Sequence, residues 1–324
     1  MPSTLIVGEV IHTHDLSSYT FAKGGRGKYG GGEWGGRGLF GGGSENGSSV
    51  TNSIDYINIG TSGNAVDFGD LTRSNYGCAG TSDGYRAVWS GGTPPTTDTM
   101  DYVECLTTGN ATEFGNTTEN VYDNASTSDG NRAISAGQPT PNPDFMETFV
   151  VRTAGNAIDY NEMVQGRGGL GAMSDGSRGL WCGGDISGGT KQDDIDYRTI
   201  QTNTEATDFG NLTYSAQPNQ GCASNGSRGI VLGGMGPGST NYDQIEIMTI
   251  GHIANAVDSG NETGNTQDWG KAAQSDGNRA TYCGTNHPAP NNIIRYVTIG
   301  SLGDGVDFGD QTAAKDWRGP AAGA

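Results

Sequence analysis

Apolar and polar residues alternate along this chain in short bursts. Ile54-Asp55-Tyr56-Ile57-Asn58-Ile59, Ile195-Asp196-Tyr197-Arg198-Thr199-Ile200 and Ile294-Arg295-Tyr296-Val297-Thr298-Ile299 carry the period of two that marks a half-buried strand. Each burst follows a shorter run that begins with arginine and ends near a Gly-Gly doublet, as in Arg37 to Gly43, Arg86 to Gly92 and Arg178 to Gly184. A turn such as Thr108-Gly109-Asn110-Ala111 then leads to a third run, centred on Asp67-Phe68-Gly69, Glu113-Phe114-Gly115, Asp208-Phe209-Gly210 or Asp307-Phe308-Gly309. A fourth run of small residues, Gly77-Cys78-Ala79 or Gly221-Cys222-Ala223, enters a Ser-Asp-Gly turn (Ser224-Asn225-Gly226 in one copy) and the next arginine.

The arginines stand in register at Arg37, Arg86, Arg132, Arg178, Arg228 and Arg279, with gaps of 46 to 51 residues. A fixed period of that size with four short strands per unit predicts a radial array. Such arrays leave few exposed sheet edges. The expected fold is an all-β, six-bladed propeller over residues 36–324, each unit running from its arginine through the small-residue strand. Asp316-Trp317-Arg318 aligns with Asp268-Trp269-Gly270 to complete the sixth unit. Residues 1–35 stand outside the clear repeats; they either complete the ring, which would allow seven blades, or form an arm that docks to a partner.

Composition supports many thin strands. Of 324 residues 57 are Gly, and hydrophobic residues make up 32%, which suits turn-rich sheets better than long helices. The regular apolar bursts argue against disorder. A formal net charge of −18 disfavours nucleic acid and anionic membrane surfaces, since binding there relies on Lys and Arg. No apolar run is long enough to span a bilayer, and Met1 to Val10 lacks the basic stretch and long apolar core of a secretory signal. Cys78, Cys105, Cys182, Cys222 and Cys283 form no C-x-x-C pair; Cys78 matches Cys222 and Cys182 matches Cys283 in position within different repeats. They are expected to be buried thiols rather than disulfides.

The Gly-Gly doublet, the strand Tyr and the period near 50 resemble kelch repeats. Ser-Asp-Gly-x-Arg-Gly-Leu-Phe-Gly-Gly, Ile-Asp-Tyr-x-x-Ile and Gly-Asn-Ala-x-Asp-Phe-Gly-Asp-Leu-Thr, the last complete at Gly63 to Thr72, look like a kelch-like group of structural and tail-associated proteins of tailed, especially marine, phages. The resemblance covers about residues 36 to 324. It implies a virion component made in the host cytoplasm, with other virion proteins as partners and a host-surface glycan or protein as a further one. It implies no enzymatic activity. Two departures stand out. The usual kelch Trp is missing, with Phe68, Phe114, Phe209 and Phe308 expected in its place. The third unit has Ser135-Ala136-Gly137 for the aromatic and Gly-Gly, and Tyr160 for Phe, so that blade is expected to be looser or specialised.

Repetition itself assigns the arginines a structural role, because chemistry needed once has no use for six copies. Asp83 with Arg86, Asp129 with Arg132 and Asp175 with Arg178 are expected to brace blade to blade. The Asp-Phe-Gly tripeptides lack every other kinase signature, and the glycine runs from Gly24 to Gly43 lack a phosphate-loop context. His12 and His14 would share a strand face and are weak metal candidates, completed by symmetry in a homo-oligomer. Asp193-Asp194 and Asp67 with Asp70 are weak Ca²⁺ candidates without a recognised calcium-loop pattern. No carboxylate pair interrupts the repeats as a glycan-degrading site would require.

Loops distinguish the two faces. Ser-Asp-Gly and Gly-Asn-Ala are nearly uniform and read as scaffold. The connections after each arginine strand are not: Ser44 to Ser53, Thr93 to Thr99, Gln138 to Asp144, Asp185 to Asp194, Met235 to Asp243 and Thr285 to Asn292. Varied loops are where recognition resides. On that side stand Tyr76, Tyr122, Trp269 and Trp317, candidates to stack on a sugar or anchor a partner. The expected function is non-enzymatic attachment or host-surface recognition by a phage particle, the alternative being structural decoration of its capsid or tail.

Overall fold

The computed structural model describes residues 36–45, 49–138, 144–187, 189–262, 270–284, 291–301 and 303–323. Six four-stranded antiparallel sheets account for most of them, and there is no α-helix among the described residues. Each sheet is named below by its arginine. In every sheet the small-residue strand is innermost, the arginine strand second, the Ile-x-Tyr strand or its counterpart third and the Asp-Phe-Gly strand or its counterpart outermost. The innermost strands of successive sheets neighbour one another in turn, and that of the Arg279 sheet meets that of the Arg37 sheet, so the six form a closed propeller-like ring. Residues 1–35, on which the seven-blade alternative rests, lie outside the described residues.

The sheets are offset by one strand from the expected units. Ala79–Ser82 does not complete the sheet of Arg37 but folds back through Ser82-Asp83-Gly84 onto Arg86–Ser90. The offset passes round the ring, leaving Gly319–Gly323 to pair with Arg37–Gly41, Arg37 opposite Gly323 and Gly41 opposite Gly319. A three-residue turn joins neighbouring strands far more directly than a long connection does, and the uniform Ser-Asp-Gly is such a hairpin turn.

Small residues are innermost because the strands crowd the axis. A Cβ on Gly80 would lie 2.2 Å from the Pro320 carbonyl oxygen, and one on Gly323 2.3 Å from Cys105 Sγ. Between sheets the core is layered. Phe68, Phe114, Phe209 and Phe308 are buried and meet Tyr56, Tyr102, Tyr197 and Tyr296 edge to face, with centroids 5.7 to 6.1 Å apart. They fill the expected aromatic position. Arg37, Arg86, Arg178 and Arg279 lie over the same four tyrosine rings. The five cysteines are buried and form no disulfide; burial pushes the thiols of Cys78, Cys105 and Cys283 up to about 12.

The arginines do brace the ring, but with different partners from those expected. Arg37, Arg86, Arg178, Arg228 and Arg279 donate to the carbonyls of Cys105, Arg152, Ile250, Gly300 and Gly60, each in the next sheet. The Ser-Asp-Gly aspartates instead cap their own turns. Oδ1 of Asp83, Asp129 and Asp175 accepts from the backbone N–H of Arg86, Arg132 and Arg178. Asp83 Oδ2 is met by Arg152 of the next sheet, and Asp129 Oδ2 by Gln201. The geometry prefers this because the arginine side chain runs along its sheet toward the neighbour while the short aspartate stays over the turn.

Tyr160 shows what the divergent third unit does. In the Arg132 sheet Thr148 occupies the tyrosine position of the third strand, opposite Ile134 and Ile158. Tyr160 of the outer strand supplies the ring over which Arg132 lies. Its hydroxyl accepts from Arg132 at 2.5 Å and donates to the Ile200 carbonyl of the next sheet at 3.1 Å. The brace is relayed rather than lost, so this sheet is specialised and not looser.

Candidate functional site

The face carrying the varied loops centres on the connections that enter the innermost strands. One residue in each connection lies at the same level: Gly77, Asp123, Gly169, Asn219, Gly270 and Trp317. All six have positive φ, between 47° and 83°. Their backbones form a collar round the axis. Gly77 N–H donates to Trp317 O, Asp123 to Gly77, Gly169 to Asp123, Asn219 to Gly169 and Trp317 to Gly270, over 2.7 to 3.1 Å. Left-handed backbone suits glycine and tolerates Asn or Asp. A tryptophan there is strained, which in folded proteins points toward function.

The collar corrects the alignment of the aromatic residues. Trp317 occupies the collar position itself, equivalent to Gly270 and not to Trp269, while Tyr76 and Tyr122 stand one residue before it. Tyr76 and Trp317 are half-buried and pack edge to face with centroids 6.3 Å apart. Tyr122 is also half-buried, beside Asp123. Trp269, like His12 and His14, lies outside the described residues. Among the described residues no cluster of three or more His, Cys, Asp or Glu side chains could hold a metal ion, and Asp67, Asp70, Asp193 and Asp194 belong to no such cluster.

The varied loops are fastened to this collar. Tyr76 bridges Thr93, Gly168 bridges Asp185 and Gln217 bridges Met235, while Ser44 pairs with Asp316. The loops themselves differ: a small hairpin of Asp185–Ile186 with Thr190–Lys191, a 3₁₀ turn at Pro237–Ser239, and a strand pair Ser44–Glu45 with Ser49–Val50. Lys191 Nζ donates to Asp185 and to Gln217 Oε1 at 3.2 and 2.7 Å, and Gln217 Nε2 donates to Asp185 Oδ1 at 3.0 Å. Asp123 stands close enough to feel both charges. Burial and the neighbouring Asp185 push its carboxyl up to about 7, with Lys191 opposing them.

Below the collar the axis is closed. Gln220 reaches across to the Cys78 carbonyl of the opposite sheet at 2.7 Å. Beyond it the channel is lined by small side chains such as Ser126, Ala172 and Ala321. The outer face carries a second, wider hollow lined by Glu119, Asp144, Asp159 and Glu162.

Sequence reasoning missed a set of buried carboxylates that clamp one sheet to the next. The acidic residue before the strand tyrosine, or its equivalent, is buried at Asp55, Asp101, Glu147, Asp196 and Glu246. Thr72 donates to Asp101, Thr118 to Glu147, Thr213 to Glu246 and Thr312 to Asp55, each across a sheet boundary. Val164, lacking a hydroxyl, gives Asp196 only its backbone N–H, and Arg167 approaches that carboxylate at 3.3 Å. The signal was the recurrence of Ile-Asp-Tyr with a downstream Leu-Thr. Burial raises Asp101, Glu246 and Glu147, the last to about 7. Burial would raise Asp55 as well, but Arg318 and Lys315 outweigh it and hold this carboxyl below its ordinary value.

No protein-family model matches the chain, and no curated protein does.

Proposed function

We propose that the chain is a non-enzymatic recognition module of a tailed-phage particle, meeting a host-surface glycan or protein through the collar and its varied loops. The observation that supports this reading is the division of labour between the faces. On one face the Ser-Asp-Gly and Gly-Asn turns are consumed by inter-sheet bonds; Asn64, Asn110, Asn156 and Asn255 each accept from a backbone N–H of the preceding sheet. On the other, loops of different shape are held to a common rim with half-buried aromatics, which is how a rigid scaffold presents recognition elements. The kelch-like and phage resemblance of the repeat wording adds the virion as the setting.

The test is adhesion of the purified protein to host cells, with and without residues 1–35. Adhesion by both forms, lost on substituting Tyr76 or the Asp185–Lys191 hairpin, supports recognition. Adhesion unaffected by those changes, or absent from both forms, sinks it.

A second reading, decoration of the capsid or tail, draws on a different feature. Val66, Ile158, Val257 and Val306 begin the outer strands of their sheets and are 49 to 63% exposed. Apolar side chains repeated round the circumference suit side-on packing against other virion proteins. Attachment of the full-length chain to particles lacking it, without cell adhesion, would favour this reading.

A further inference from the structure

The collar encloses a small cavity at the mouth of the axis, with Gln220 as its floor and Asp123, Asn124, Asn219, Trp317 and Arg318 among its walls. Its polar groups are unevenly disposed. The amide and guanidinium donors around it are committed elsewhere. Arg318 spends its N–H groups on Gly42 O, Asp55 Oδ2, Gln311 Oε1, Phe40 O and Ser53 O. Asn219 Nδ2 donates to Gln217 O, Asn124 Nδ2 to the hydroxyls of Ser90 and Ser135, and Gln220 Nε2 to Cys78 O.

The acceptors are left over. Asn124 is fully buried and Asn219 only 6% exposed, yet Oδ1 of each has no hydrogen-bond partner. A buried amide oxygen left so costs stability unless something fills the site. The Asp123 carboxylate accepts no hydrogen bond from the described residues, and its ionic neighbour Lys191 is committed to Asp185 and Gln217. The positive charge of Arg318 is answered by Asp55 at 2.6 Å. The residues lining the cavity therefore carry two amide oxygens without a partner and one carboxyl group that accepts no hydrogen bond, a set that donors would satisfy.

We infer that the collar cavity of Asp123, Asn124 and Asn219 binds a primary ammonium group, its alkyl stem leaving past Trp317 and Tyr76. An ammonium brings three N–H donors and no acceptor, is about the size of the one water the cavity admits, and gains from aromatic rings beside it. A sugar ring is too large for the space, and a guanidinium is too wide. The inference rests on the recognition reading, since it names what the mouth would take from a partner: a lysine side chain or a small free amine, which share this chemistry.

The experiment is calorimetric titration of the full chain with methylammonium chloride, with sodium chloride and tetramethylammonium chloride at matched ionic strength as comparators. Nα-acetyl-lysine methylamide and its Nε-acetylated form separate a lysine side chain from a free amine. Saturable methylammonium binding, weakened at least tenfold in D123N and absent for tetramethylammonium, is expected. Asparagine keeps the volume of Asp123 and tolerates its backbone conformation, so D123N should fold. Equal response to sodium or tetramethylammonium, no saturation, or unchanged binding in D123N would overturn the inference. Methylammonium binding with cell adhesion unchanged in D123N would leave the ammonium site standing and remove the mouth from the recognition reading. Adhesion that needs the varied loops without any ammonium binding would do the reverse.

Discussion

The two faces of this ring are built from the same number of connections and use them oppositely. On the Ser-Asp-Gly face the repeated turn residues have mechanical uses. Serine hydroxyls tie inner strands together, with Ser128 donating to Ser82 O and Ser224 to Ser174 O. Aspartates cap, glycines turn with φ near 85°, and arginines reach the next sheet. On the collar face glycine is replaced at three of six equivalent positions by Asp123, Asn219 and Trp317, at a conformational cost, and donors and acceptors do not balance. One face uses its repeated turn groups to join neighbouring sheets, and the other leaves the amide oxygens of Asn124 and Asn219 without a partner. Repetition within a sequence therefore marks scaffold, and departures from repetition at a fixed geometric position mark the place to look for binding.

The comparison is broken most severely where the segment entering Gly319–Gly323 joins the Arg37 sheet. Arg318→Ala strands the buried Asp55 with Lys315 as its remaining cation, and should cost about 3–5 kcal/mol in denaturant unfolding; a loss below ~1 kcal/mol would show that the seam is not held ionically. On the scaffold face, Asp175→Ala removes the acceptor of two backbone N–H groups and should cost ~1–2 kcal/mol while leaving binding at the collar unchanged. Tyr160→Phe keeps the ring under Arg132 but deletes the hydroxyl relay, for a loss of ~1 kcal/mol. Phe68→Leu should instead act through lost packing alone, and comparing the two separates relay from bulk.

The next test is stability against pH. Glu147, Asp101 and Glu246 bind their protons more tightly folded than unfolded, so each contributes stability that fades as pH rises through its raised folded value, near 7 for Glu147. Asp55, held low, contributes stability that is lost as pH falls through its depressed value. Thermal unfolding should therefore show its maximum on the acid side of neutrality, and Glu147→Gln should flatten the decline between pH 4.5 and about 7. A maximum above pH 8 would contradict this account. The smallest stability effect is expected at the collar, where Trp317→Gly relieves left-handed strain and loses the Tyr76 contact, for a net change within ~1 kcal/mol.

Much of this was legible in the chain itself. The period, the strand order within a unit and the contrast between uniform and varied loops all follow from spacing and turn chemistry, which act locally. The offset of one strand was not legible, because a small-residue run can pair forward through Ser-Asp-Gly or backward with equal local propensity; closure of the ring decides it. For the same reason Trp317 was aligned with Trp269 by wording, whereas register against Arg37–Gly41 places it with Gly270. The carboxylate clamps were visible as letters but not as partners, since Thr72 and Asp101 are 29 residues apart and meet only once two sheets stack. The amide oxygens of the mouth left no trace in the sequence, because an unmet hydrogen bond is a property of the assembled site.

The pairing of Gly319–Gly323 with Arg37–Gly41 also has a consequence for synthesis. Until the later strand leaves the ribosome, the earlier one presents an open edge carrying Leu39 and Phe40, both fully buried in the finished ring. Five sheets can be complete while the first still lacks its inner strand. Two chains stalled at that stage at high concentration each hold the piece the other needs, so exchange of Gly319–Gly323 between copies is the natural error of this architecture. Slow production at low concentration should yield rings closed within one chain, and rapid overproduction should yield strand-swapped pairs with the same sheets and the same collar.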